Sequence, residues 1–117
     1  MLLIHQNPAT FDTLSEEERN AIFNEVDAIM KELTETGELV GGEALAHPST
    51  TKTVRVRDGV PAVTDGPFAE AKEHMVGYLT VDTETEERAV EIAARWPDAR
   101  YSAMEVRPVM DTSGVEM

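Results

Sequence analysis

The order of the elements predicted from the sequence indicates an α+β fold. Apolar residues recur at helical spacing in two segments, one over Glu16–Thr36 and one that begins after Thr83 or Thr85. Short strand-like runs flank both segments, and Asp58-Gly59 separates two further runs as the turn of a β-hairpin. A length of 117 residues with 41% hydrophobic content fits one compact domain with a modest core.

The first strand and the first helix have clear boundary signals. The apolar run Leu2-Leu3-Ile4-His5 predicts a strand that ends before Asn7-Pro8. Ser15 with Glu18 three residues later forms a capping box, and Gly37 supplies a stop signal, so we expect a helix over Glu16–Thr36. Its buried stripe is predicted to consist of Ile22, Val26, Ile29, Met30 and Leu33.

The middle of the chain is predicted to form a strand followed by a β-hairpin. Residues 38–45 predict a second strand, and its Gly41-Gly42 pair indicates a bulge or a close approach of another group. Residues 53–57 and 60–64 flank Asp58-Gly59, which is a strong signal for a two-residue turn.

The last third of the chain predicts a strand, a helix and a strand. Residues 75–81 form the first of these, Pro97 stops the helix, and residues 101–109 form the last strand. Residues 111–117 are expected to be a flexible tail. The helix is predicted to turn Ala89, Val90, Ile92, Ala93 and Trp96 inward.

This order is that of the ferredoxin-like βαββαβ plan with an inserted β-hairpin. Both helices should cover one face of the sheet, which leaves the other face in need of cover. Strand alternation predicts that Met104 and Val106 face the helices, while Tyr78, Glu105 and Arg107 point to the other side. Such a polar group is either a structural ion pair or a binding site.

A stiff, charged turn lies between the hairpin and the next strand. Gly66 and Pro67 restrict its backbone, Asp65 is placed to cap it, and Phe68 is expected to anchor it to the body of the domain. Glu70 lies next to this turn. A rigid acidic turn of this kind is suited to position a functional group.

Asp65-Gly66-Pro67-Phe68, followed by the residues 69–73, resembles the motif of the DGPF proteins, a branch of the YCII-related superfamily. Supporting matches span residues 1–109, so residues 1–110 are interpreted as one such domain. They comprise Gly41-Gly42-Glu43, the hairpin, Gly77-Tyr78 and the closing Glu105, Val106, Arg107 and Pro108. The resemblance implies a homodimer that forms a dimeric α+β barrel. It also implies a His/Asp pair, for which His5 and Asp65 are the candidates, although His5 is equally interpreted as a strand-end residue with a satisfied ring.

Two functions follow as hypotheses. The first is a small-molecule enzyme or ligand-binding protein with a cleft near the turn, lined by Asp65, Glu70, Tyr78, Glu105 and Arg107. In that hypothesis Asp65 is a base or an orienting group, His5 carries a proton, and Arg107 holds an anionic group of the ligand. The alternative, implied by the resemblance, is a non-catalytic protein-interaction or regulatory module associated with extracytoplasmic-function sigma factors.

Composition excludes several other classes. A net charge of -13 argues against a nucleic-acid partner, and the absence of cysteine removes thiolate chemistry. No cofactor or metal is expected, since no nucleotide-binding glycine motif occurs and the three histidines lack zinc-type spacing. No membrane contact is expected either, because there is no long apolar span or leader, so we expect a cytoplasmic protein.

Overall fold

The computed structural model describes residues 1–68 and 73–110. The elements follow the predicted order, with two short helices and one 3-10 turn in addition. They are β1 (Leu2–Gln6), α1 (Pro8–Asp12), α2 (Glu16–Thr36), β2 (Leu39–Ala44), a 3-10 turn (Pro48–Thr50), β3 (Lys52–Arg57), β4 (Val60–Asp65), β5 (His74–Val81), α3 (Glu86–Arg95), α4 (Asp98–Tyr101) and β6 (Ala103–Val106).

Four strands form one sheet in the order β2-β5-β1-β6, and every neighbouring pair is antiparallel. This order, with α2 and α3 as the crossover helices, is compatible with the ferredoxin-like plan. The predicted α+β class is therefore confirmed. Strands β3 and β4 form a separate two-stranded sheet. Their turn residues Asp58 and Gly59 both have positive φ, 52° and 76°, which is the backbone that a tight hairpin requires.

The long helix α2 begins and ends where the sequence predicts. The Ser15 hydroxyl accepts a hydrogen bond from the Glu18 N–H at 3.1 Å, and the Glu18 carboxylate accepts one from the Ser15 N–H at 3.2 Å. Gly37 ends the helix in the left-handed conformation, with φ of 78°. Within the described residues, neither α2 nor any other helix is both long and apolar enough to cross a bilayer.

The hydrophobic core lies between the two crossover helices and one face of the sheet. Strands β1 and β5 contribute Leu2, Ile4 and Leu79, and the helices contribute Ile29, Leu33, Ala89, Ile92, Ala93 and Trp96. Val26, Met30, Met104 and Val106 pack at the edge of this core, as predicted. Val90 was predicted to face inward, which is wrong: its side chain is 49% exposed, because α3 has room for only a narrow buried stripe.

Two boundaries differ from the prediction for local reasons. Asn7-Pro8 ends β1 and also starts a helix. The Asn7 side-chain oxygen accepts a hydrogen bond from the Ala9 N–H at 3.0 Å, and Pro8 is the first residue of α1. The last strand does not begin at Tyr101, because a turn of helix, α4, runs through Tyr101 after Pro97. The last strand, β6, covers Ala103–Val106.

The glycine pair in β2 has both features that the sequence suggested. The register with β5 shifts between Leu39 and Gly41, which is a bulge. A Cβ atom on Gly42 would lie 2.5 Å from the Tyr78 carbonyl oxygen, whereas one on Gly41 would meet no atom within 4 Å. The bulge thus sits beside a point of close backbone contact with β5.

Candidate functional site

The sheet surface that faces away from the helices carries the polar residues. We call it the open face, and strand register defines it. Leu2 and Ile4 enter the core, so Leu3 and His5 of β1 point to the opposite side. Residues paired with these positions share that side. Glu43 follows because it pairs with Tyr78, and Thr80 because it is two residues from Tyr78 along β5. The open face therefore comprises Leu3, His5, Glu43, Met75, Tyr78, Thr80, Ala103 and Glu105.

His5 and Glu105 form the central pair of the open face. The Nε2 atom of His5 lies in ion-pair contact with Oε1 of Glu105, across the β1–β6 pairing. The Nε2 atom is buried, and among the described residues the Glu105 carboxylate is its charged neighbour. The histidine side chain is 22% exposed and the carboxylate 62% exposed.

Tyr78 stands in the same row of the sheet as Glu105. Leu3 pairs with Tyr78 on one side and with Glu105 on the other, and Glu43 pairs with Tyr78 from the edge strand. The row therefore runs Glu43, Tyr78, Leu3, Glu105 at one strand spacing each, about 4.8 Å. Tyr78 is half-buried and Glu43 is exposed. The predicted placement of Tyr78 and Glu105 on one face agrees with this register.

Asp65 lies in the separate two-stranded sheet and not on the open face. It is the last residue of β4, opposite Lys52, and its carboxylate forms an ion pair with the Lys52 ammonium. The side chain is 83% exposed. His5 and Asp65 therefore have different charged partners, Glu105 and Lys52, and the two side chains do not form an ion pair with each other within one chain.

The turn after Asp65 is held to the base of the hairpin. The Gly66 N–H donates to the Thr51 carbonyl at 2.7 Å, and the Thr53 hydroxyl donates to the Gly66 carbonyl at 2.7 Å. Gly66 has φ of 96°, which favours glycine. The expected anchoring of Phe68 in the domain body is wrong: the ring is 72% exposed and lies 4.7 Å from the Arg55 guanidinium. Glu70 lies outside the described residues.

A cavity of about 310 Å³ lies beside this turn. Its lining is mixed, polar as well as apolar, and includes Leu45, Pro48, Thr51, Pro67, His74 and Met75. Met75 is the cross-strand partner of His5, so the cavity adjoins the open face at its histidine end. His74 was not predicted to be a site residue. The pairing of β5 with β1 places it opposite Gln6, at the edge of this cavity.

Arg107 occupies the opposite end of the sheet. Its backbone pairs with Met1, since the Arg107 N–H donates to the Met1 carbonyl at 2.9 Å and the Met1 ammonium donates to the Arg107 carbonyl at 2.7 Å. The residue lines a groove of about 440 Å³ near the start of α3, together with Thr83 and Glu84. Arg107 does not line the cavity beside the turn, and neither do Asp65, Tyr78 and Glu105, which were predicted to line a cleft there with it.

A metal centre is not visible in the part of the chain that the structure describes. There, no group of three or more histidine and carboxylate side chains converges in a way that could hold an ion. The expectation that no metal is bound stays a prediction.

These features define a class of protein: a small α+β domain with helices on one face of an antiparallel sheet and a histidine–carboxylate pair on the other. The chain belongs to the YCII-related domain family, whose family model matches residues 1–113. It is also similar to an uncharacterized protein of Rhizobium meliloti (strain 1021), with 28% identity over 110 residues that cover 92% of this chain and 89% of that protein. The predicted membership of this superfamily is confirmed.

The pairing of His5 with Glu105 is the feature that sequence reasoning missed. Alternation alone placed Glu105 on the open face, and His5 was recognised as a strand-end residue. The missing information was the register of β1 against β6, in which Leu3 pairs with Glu105 and His5 with Ala103. Only this register brings the carboxylate diagonally beside the ring.

Proposed function

We propose that this protein is a homodimer that binds a small molecule on the open face and transfers a proton there through His5. The observation that supports the proposal is the ion-pair contact between the His5 Nε2 atom and the Glu105 carboxylate on the open face. A carboxylate next to one ring nitrogen of a histidine stabilises the imidazolium that forms when the other ring nitrogen takes a proton.

Each part of the site has a role in this proposal. His5 takes the proton at Nδ1, because its Nε2 atom faces Glu105, and the Glu105 carboxylate orients the ring and stabilises the imidazolium. The Tyr78 hydroxyl, one strand spacing from Leu3 in the row, is available as a hydrogen-bond donor to the ligand. The cavity next to Met75, whose lining is both polar and apolar, accommodates the rest of the ligand.

The dimer follows from the lack of cover on the open face. The apolar core lies entirely on the other side of the sheet, yet Leu3 and Tyr78 on the open face are large and only half-buried. Packing this face against that of a second copy gives the dimeric α+β barrel and excludes water from the His5–Glu105 pair. In a water-poor site the attraction between an imidazolium and a carboxylate is stronger.

A ligand screen by thermal shift tests the site. We expect compounds that raise the melting temperature of the wild type to lose at least about tenfold in affinity in His5→Gln and Glu105→Gln, because each change removes a charge-assisted contact. Glu35→Gln is the matched control, since Glu35 is an exposed carboxylate on α2, on the other side of the sheet. Equal responses of all four proteins to every compound would count against the site.

The alternative function, a protein-interaction module associated with extracytoplasmic-function sigma factors, stays a prediction from the sequence. The feature that favours it is the acidic first turn of α2, where Glu16, Glu17 and Glu18 are exposed. A basic protein partner attracted to this surface would be recovered at low salt and lost at high salt.

A further inference from the structure

The hairpin of β3 and β4 has two strand edges that no other strand covers. Its strands pair only with each other in the described parts of the chain, and all of their residues are exposed except Thr53, which is partly covered. A lone two-stranded hairpin is marginally stable in water, and an unpaired strand edge is a template for a further strand. The hairpin is therefore expected to gain stability when a third strand is added.

The register shows which backbone groups of β3 point away from β4. One step beyond the end of the paired strands, the Gly66 N–H donates to the Thr51 carbonyl at 2.7 Å. Hydrogen-bonded and non-hydrogen-bonded pairs alternate along an antiparallel ladder. Val54 and Val56 lie three and five positions after Thr51, so both stand in non-hydrogen-bonded pairs. Their N–H and C=O groups therefore form the outer edge of β3.

Proline distinguishes the two edges of the hairpin. Pro61 of β4 pairs with Val56 and has no N–H, so the outer edge of β4 lacks a donor at its middle. The outer edge of β3 contains no proline. Among the described residues, Val54 and Val56 make no backbone hydrogen bond to an element outside the hairpin. The outer edge of β3 is thus the one at which a strand can be added.

The two sides of β3 differ in chemistry. Val54 and Val56 share one side and are 59% and 63% exposed. Arg55 and Arg57 share the other side, are exposed, and form no ion pair with a carboxylate of the described residues. The side chains of an added strand alternate between the same two sides. Such a strand fits best when its residues are apolar opposite the valines and acidic opposite the arginines.

We propose that the outer edge of β3 binds an extended segment of a partner protein in which apolar and acidic residues alternate. The segment adds a third strand through hydrogen bonds to the backbone of Val54 and Val56, and its carboxylates face Arg55 and Arg57. A second copy of β3 fits less well, because it would bring its own arginines to the same side, where like charges repel. The inference does not depend on the homodimer or on the His5 site proposed above.

A capped peptide of alternating valine and glutamate is the probe for this edge, and NMR of the 15N-labelled protein follows its binding. We expect the N–H groups of Val54 and Val56 to become protected from exchange with solvent, while that of Val63 on the outer edge of β4 stays unprotected. A peptide of alternating valine and lysine should bind at least about tenfold more weakly, because its charges repel the arginines. Equal affinity for the two peptides, or protection of Val63 in place of Val54, would overturn the proposal.

Val54 and Val63 provide matched backbone variants, because they form one non-hydrogen-bonded pair and proline at either position removes an outward N–H without breaking the ladder. We expect Val54→Pro to raise the Kd of the glutamate peptide by at least about tenfold and Val63→Pro to leave it close to that of the wild type.

Arg57→Glu tests the charge without a change of backbone. We expect this variant to prefer the lysine peptide to the glutamate peptide, the reverse of the wild type. His5→Gln should bind both peptides as the wild type does, so failure of the proposed proton-transfer site would leave this result unchanged. An Arg57→Glu variant that keeps the wild-type preference would overturn the proposal. A wild type that binds neither peptide, but whose self-association is weakened by Val54→Pro alone, would overturn it in favour of a second copy at this edge.

Discussion

Gly42→Ala is expected to lower the free energy of unfolding by about 2–3 kcal/mol, as overpacking of a tight contact does. The new methyl carbon would lie 2.5 Å from the Tyr78 carbonyl oxygen, 2.9 Å from Cδ2 of Leu79 and 3.1 Å from its Cα atom. Two of these three atoms belong to the backbone of β5, which cannot rotate away. Strand β2 must therefore move away from β5, which weakens the hydrogen bonds between them.

Gly41→Ala is the matched control for this prediction. A Cβ atom at Gly41 meets nothing within 4 Å, and its backbone is not in the left-handed region. Alanine there reduces the freedom of the unfolded chain and is expected to be neutral or to stabilise by up to about 1 kcal/mol. Urea unfolding of both variants measures the difference. Equal effects of the two substitutions would show that the Gly42 contact does not constrain the sheet.

Asp98→Ala is expected to cost about 2–4 kcal/mol of stability, since it leaves buried donors without an acceptor. The carboxylate is 8% exposed, and it accepts hydrogen bonds from the Trp96 indole N–H at 3.0 Å and from the Gln6 amide at 2.9 Å. It therefore ties α4 to both the end of α3 and β1. Asp98→Asn keeps the shape and one acceptor, and Gln6 can turn its amide oxygen toward the new donor, so a smaller loss is expected.

The pH dependence of these variants has a defined sign. Burial raises the pKa of the Asp98 carboxyl, although the hydrogen bonds from Gln6 and Trp96 oppose this shift. A carboxyl whose pKa is higher in the folded state holds its proton more tightly there, so its contribution to stability falls as pH rises from the unfolded pKa through the raised folded pKa. The stability of Asp98→Asn relative to the wild type should therefore improve as pH rises through that window. A constant difference between the two in urea titrations at several pH values would contradict the raised pKa.

Local signals in the sequence were sufficient for most elements of the fold. The capping box at Ser15 and Glu18, the stop at Gly37 and the Asp58-Gly59 turn are each encoded within a few residues, and all three have the predicted geometry. The short helices α1 and α4 were missed because four or five residues carry too little periodicity to distinguish a helical turn from a loop.

The candidate site was predicted only as a set of residues on one face. Alternation correctly assigned Tyr78 and Glu105 to the open face, but the partner of His5 depends on the register between β1 and β6, which is set by contacts distant in sequence. Arg107 is two residues after Glu105 and so shares its side by alternation, as predicted. It lies after the end of β6, however, where its backbone pairs with Met1. The prediction for Phe68 was wrong because burial was inferred from its apolar character. The residue is exposed, and its ring lies against the Arg55 guanidinium.

The claim on which the proposed site depends most is that a second chain covers the open face. Light scattering of the wild-type protein at micromolar concentration measures this directly. We predict a mass of about twice the 12.9 kDa of one chain. A mass of one chain at every concentration measured would mean that Leu3, His5, Tyr78 and Glu105 face water, and would contradict both the dimer and a water-poor site.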